Sequence, residues 1–89
     1  MYAIICTDKD GALEIRKANR EAHLAYAAET PVVYLGPFLD DVSGDMKGSL
    51  AVLDVDTRAE AEAWAANDPY AKAGLFQKAR IERFKKVIG

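Results

Sequence analysis

Cys6 and His23 are the only cysteine and the only histidine in a chain of 89 residues. An intrachain disulfide is therefore impossible, and no Cys/His cluster stands ready to hold a structural metal. A chain this short buries only about 60% of the surface that its unfolded form exposes. It has to be held by very regular packing or by a partner chain, so a homodimer is an expectation before any motif is read. The length supports one domain, residues 1–89, and excludes a two-domain enzyme.

The order of local signals then narrows the fold. Tyr2 to Thr7 is an apolar, β-branched run suited to a central strand. Asp8, Asp10 and Gly11 break it. From Ala12 to about Glu29, the residues Ile15, Ala18, Ala22, Ala25 and Tyr26 recur at helical spacing and predict one apolar stripe. Pro31 forces Thr30 out of helical dihedrals, and Val32 to Leu35 reads as a second strand closed by Gly36-Pro37. Leu39 to Lys47 reads as a polar turn, and Gly48 to Val55 as the third strand, hairpinned to the second. Thr57 with Glu60 forms a capping-box pattern at the start of a helix from Arg58 to Asn67. Pro69 to Ala73 reads as a short extra turn stopped by Gly74, before a last strand from Phe76 to about Phe84.

The result is β-α-β-β-α-β, the split arrangement of ferredoxin-like α+β domains. Right-handed crossovers place both helices on one face of a four-stranded antiparallel sheet. Ile5, Leu50, Val52 and their neighbours give apolar side chains to both faces of the sheet, so the face left open is expected to bury itself against a second copy.

Charge and hydropathy remove several functions. A net charge of −2 lacks the positive excess that phosphate-backbone binding uses. RNA-recognition domains share the element order, but they carry stacking aromatics in the third strand where this chain has Lys47-Gly48-Ser49-Leu50-Ala51-Val52. Nucleic acid is not an expected partner. No apolar run approaches the roughly 20 residues of a bilayer span, and the N-terminus lacks a secretory pattern. No membrane partner and a cytoplasmic location are the expectations.

Four polar features remain. His23 follows Arg16 and Arg20 at spacings of seven and three, so the three project to one side, beside the apolar stripe. Histidine is the side chain that can give and take a proton near neutral pH, although one at the rim of a core need do neither. Asp68 before Pro69 is a good helix cap; the fold also lets a carboxylate at the end of the second helix reach an imidazole on the first. Gly36-Pro37 and Gly48-Ser49 either relieve turn geometry or let a ligand approach, with the Ser49 hydroxyl available to an anionic oxygen. Lys78, Arg80, Arg83, Lys85 and Lys86 read as charge protecting an edge strand.

The segments R-x-x-H-L (Arg20 to Leu24), Gly36-Pro37, Gly48-Ser49, E-A-E-A-W (Glu60 to Trp64) and D-P-Y-A-K-A-G-L-F (Asp68 to Phe76) resemble the YCII-related family in the family's order. The resemblance implies a dimeric α+β barrel of ferredoxin-like subunits and a pocket with a His-Asp pair. It also implies small cofactor-free enzymes; a dehydrochlorinase of aromatic degradation and muconolactone isomerases have related folds or sites. It matches the family's histidine to His23 and its aspartate to Asp68 as the catalytic pair. Ser49, Gly36 and Pro37 fall on pocket positions, and Tyr70 of the D-P-Y segment and Arg20 complete the expected substrate-binding set.

Two functions compete on this basis. One is a cofactor-free and metal-free enzyme of lyase, dehydrohalogenase or isomerase type, moving a proton on a small carboxylated molecule. In it His23 is the acid/base, Asp68 its orienter and Arg20 a carboxylate contact or a surface ion-pair residue. The other is a small-molecule binding or sensing module that uses the same pocket without turnover.

Overall fold

A computed structural model describes residues 1–89. Seven elements follow in order: β1 Tyr2–Asp8, α1 Leu13–Ala28, β2 Val32–Leu39, β3 Met46–Leu53, α2 Arg58–Asn67, α3 Pro69–Lys72 and β4 Phe76–Arg83. The four strands form one antiparallel sheet in the order β2-β3-β1-β4. This is the expected ferredoxin-like α+β fold, with α3 as a third, four-residue helix.

Strand parity explains the core. Tyr2, Ile4 and Cys6 alternate inward along β1, and they face Leu53, Ala51 and Ser49 of β3 in register. Against them pack Ala27 of α1 with Ala61 and Trp64 of α2, so both long helices cover one side of the sheet. Thr57 caps α2 by accepting the Glu60 N–H at 3.2 Å, worth about 1 kcal/mol. At Gly48, which pairs with Thr7, a Cβ would collide with the Cys6 carbonyl oxygen, so only glycine lets β3 lie this close to β1.

Trp64 is fastened at two points as well as buried. Its Nε1–H donates to Thr30 Oγ1 at 2.7 Å, and Tyr26 Oη donates to its carbonyl at 2.9 Å. Trp64→Phe removes the indole donor and part of the ring, and is expected to cost about 1 to 2 kcal/mol. A urea midpoint unchanged by the substitution would place the indole outside the core.

Three expectations need correcting. Of the apolar stripe of α1 only Tyr26 packs against the core: Ala18, Ala22 and Ala25 are exposed, Ile15 is 37% exposed, and the buried side chains are Arg16, His23 and Ala27. Arg16 and His23 bring their own buried carboxylate partners, which removes the penalty that usually keeps such groups outside. Gly36-Pro37 does not close β2 but lies within it, paired with Leu50 and Ser49; β2 is an edge strand, where proline leaves no ladder bond unmade. Finally β3 begins at Met46, and Asp8 still belongs to β1.

The face away from the helices carries Ile5, Leu50, Tyr34 and Phe38, the last two 53% and 40% exposed. β4, with Lys78 and Arg80 exposed, forms the other sheet edge. No helix is long and apolar enough to cross a membrane.

Candidate active site

The site is assembled where α1 passes over β1 and β3 and meets α3. Asp68 ends α2 and caps α3 with extended dihedrals, so that its Oδ1 accepts the Tyr70 N–H at 3.0 Å. The same oxygen accepts a hydrogen bond from His23 Nδ1 at 2.7 Å. The two side chains are 4% and 5% exposed. A carboxylate that accepts a hydrogen bond from Nδ1–H fixes the ring's tautomer and leaves Nε2 for other work. Nε2 makes no hydrogen bond within the protein, yet no buried polar atom is left without a partner, so Nε2 is open to the cleft.

Tyr70 braces this arrangement. Its ring stacks on that of His23, with centroids 3.9 Å apart and planes 17° from parallel. On the same ring rests the guanidinium of Arg16, with Cζ 4.7 Å from the centroid. Arg16 is itself held by Asp8 through two parallel bonds, Nε to Oδ2 at 2.8 Å and Nη2 to Oδ1 at 2.9 Å. Nη2 also donates to Ser49 Oγ at 2.8 Å. Burial opposes the charge on Arg16, but the hydrogen bond and the charge of Asp8 outweigh it and hold the guanidinium above its ordinary pKa. Burial raises the Tyr70 phenol, against the opposing pull of Arg16 and Arg20.

These groups surround a cleft of about 160 Å³. Arg16, Arg20, His23, Ser49 and Tyr70 form its polar side. Leu24, Leu35, Gly36, Pro37 and Met46 form the apolar one. The structure thus brings His23 and Asp68 into contact and gathers Arg20, Gly36, Pro37, Ser49 and Tyr70 around one cleft. Arg20 is exposed at its mouth, and Gly36 contributes backbone only, a Cβ there meeting nothing within 4 Å. The buried Asp8-Arg16 pair was not among the expected site residues. Its signal was the parity of β1, since Asp8 continues the inward series Tyr2, Ile4, Cys6. No three His, Cys, Asp or Glu side chains converge as metal ligands.

Cys6 lies under this polar cluster. Burial pushes its thiol up to about 12, with the charges of Asp68 and Asp8 adding and Arg16 opposing. Burial likewise raises Tyr26. For these acids the unfolded chain gives up its proton first, so their stability contribution is full below the unfolded pKa and drains away as pH rises toward the folded one. Thermal stability is expected to fall from about pH 8.5 upward, starting with Cys6, and Cys6→Ala is expected to remove that first part. The folded protein should also resist a thiol reagent at pH 8 and react once denatured; rapid labelling of the folded chain would contradict the burial.

The YCII-related domain matches residues 1–85. The chain belongs to the YCII-related family. It is 33% identical to protein YciI of Escherichia coli, with 99% of each chain aligned, and 35% identical to an uncharacterized protein of Haemophilus influenzae, with 98% of each aligned. Among solved structures, it is similar to 5-chloro-2-hydroxyhydroquinone dehydrochlorinase (TftG) of Burkholderia phenoliruptrix in complex with 2,5-dihydroxybenzoquinone. The two share 35% identity and a TM-score of 0.87 over 96% of this chain and 94% of that one. An antibiotic biosynthesis monooxygenase-like protein of Nitrosomonas europaea shares the fold at 16% identity and a TM-score of 0.62, over 99% of this chain and all of the other. For this YCII-related chain, that second likeness speaks to architecture alone.

Proposed function

We propose that this chain is a cofactor-free enzyme of lyase type that eliminates a small acid from a small, acidic, ring-sized molecule. The observation that carries the reading is the buried His23-Asp68 pair with Nε2 open to the cleft. In the step proposed, the substrate reacts as a keto tautomer in which the halogen-bearing carbon and the carbon beside it are saturated, and Nε2 takes a proton from that neighbouring carbon, alpha to a carbonyl whose oxygen receives the charge. The C–H electron pair becomes a new double bond, and a halide on the neighbouring carbon leaves with its own bonding pair. The sum is loss of HX, balanced within the substrate, so the step consumes no oxidant or reductant. Asp68 stays ionised and stabilises the imidazolium that forms.

The likeness to a dehydrochlorinase supports elimination over other proton transfers, and it names the compound to try. Chloride release from 5-chloro-2-hydroxyhydroquinone is the test. Catalysed release supports the reading. Saturable binding of the same compound without release would instead make the cleft a binding module.

We also propose that two copies join through the open sheet face, because Ile5, Leu50, Tyr34 and Phe38 leave apolar surface there. Light scattering at micromolar concentration is expected to give twice the chain mass of 9.7 kDa. A mass of one chain would overturn this.

A further inference from the structure

Arg16 has three nitrogens, and the protein uses two of them: Nε and Nη2 bond Asp8 and Ser49. Nη1 makes no hydrogen bond of ordinary length and angle within the protein, although the Tyr70 phenol lies near enough to the guanidinium for each to shift the other's pKa. The residue is 2% exposed, yet no buried polar atom is orphaned, so Nη1 owes its access to the cleft that Arg16 lines. Resting on the proton-transfer reading of this cleft, we infer that Arg16 Nη1 is the donor that receives the anionic oxygen of the substrate, and that Arg20 only attracts it.

Three features support this division of labour. Asp8 neutralises Arg16, which makes Arg16 a directional donor with little net field, whereas Arg20 stands exposed at the mouth with no carboxylate paired to it. Rim charges act mainly on encounter, while a buried, fixed donor acts on the bound state. Second, Arg16 and His23 sit against the same Tyr70 ring, so donor and base keep a fixed relation across the cleft. An oxygen bound at Nη1 would take up negative charge as His23 Nε2 removes a proton from the conjugated carbon frame. Third, a cavity of about 150 Å³ accommodates one benzene, and this cleft measures about 160 Å³. The substrate class is therefore a single-ring or similarly small conjugated enol, phenol or hydroxyquinone that carries its anionic oxygen on the same frame as the transferred proton.

The test uses 2,5-dihydroxybenzoquinone as probe, with binding followed by its absorbance and by calorimetry on the intact chain. Two variants remove the Nη1 donor. Asp8→Asn with Arg16→Gln replaces the pair by a neutral hydrogen-bonded one, and Arg16→Lys keeps a counter-charge for Asp8 without a third nitrogen. Both are expected to weaken binding by about tenfold to a hundredfold, the worth of a hydrogen bond to a charged group, with the salt dependence unchanged. Arg20→Gln is expected to weaken binding less than about threefold and to flatten the salt dependence. Wild-type affinity in both Arg16 variants, a dominant loss in Arg20→Gln, or no binding by the wild type at millimolar probe would each overturn the inference. Should one variant not fold, as shown by its thermal melt, the other decides. Binding through Arg16 without chloride release from the chlorinated compound would keep this inference and overturn the enzymatic reading, so the two fail separately.

Discussion

Asp8→Ala is expected to destabilise the chain by about 3 to 5 kcal/mol, because it leaves the Arg16 guanidinium buried without its counter-ion. The side chains of the pair are 3% and 6% exposed, so water cannot replace the lost carboxylate without opening the site. Domains of ordinary stability have about 5 to 15 kcal/mol to lose, and a chain of 89 residues belongs near the lower end. Urea unfolding of the parent and the variant measures the difference. A loss below about 1 kcal/mol, the value of an exposed pair, would mean that Arg16 reaches solvent. Removing both charges together is expected to be far milder than removing one, since the cost lies in the unpaired charge rather than in the pair's absence.

His23→Gln is expected to lower chloride release by about a hundredfold to ten-thousandfold, the usual share of a positioned acid/base. Glutamine can still donate to Asp68, so the cap on α3 is largely spared while the ring stacked on Tyr70 is lost, and the melting temperature should move little beside the rate. Asp68→Asn tests the same pair from the other side. It keeps the capping oxygen while presenting an amide that can no longer stabilise an imidazolium, so a fall in rate with stability retained is the expected outcome. Unchanged turnover in His23→Gln would sink the proposal that His23 moves the proton.

Most of the architecture was readable from local signals because several boundaries carry their own marker: Pro31 and Pro69 by backbone restriction, Gly11 by a positive φ open to glycine, and Thr57 by its side-chain cap, none of them dependent on packing. The His23-Asp68 contact was also within reach, since the split fold puts the end of α2 beside α1. What escaped was which side of α1 faces inward. Its alanines recur at helical spacing but cover little area, whereas Arg16 and His23, polar by type, are buried because Asp8 and Asp68 wait beneath them. Apolar periodicity has no means of recording burial that depends on a partner 8 or 45 residues away. Pro37 misled for a related reason. It normally punctuates a strand, and only its position at the sheet edge lets it sit inside one.

Asp68 does two jobs with one oxygen, holding the first turn of α3 and the ring of His23. A descendant chain that had lost its chemistry would still need the first of these, and a longer glutamate would reach the imidazole at the expense of the turn. The aspartate is therefore a poor witness to activity in any related sequence, whereas His23, although it also packs on Tyr70, carries a second nitrogen that no group of the protein uses, so its identity records the chemistry more directly. In sorting working enzymes from retired ones, the histidine is the residue to read.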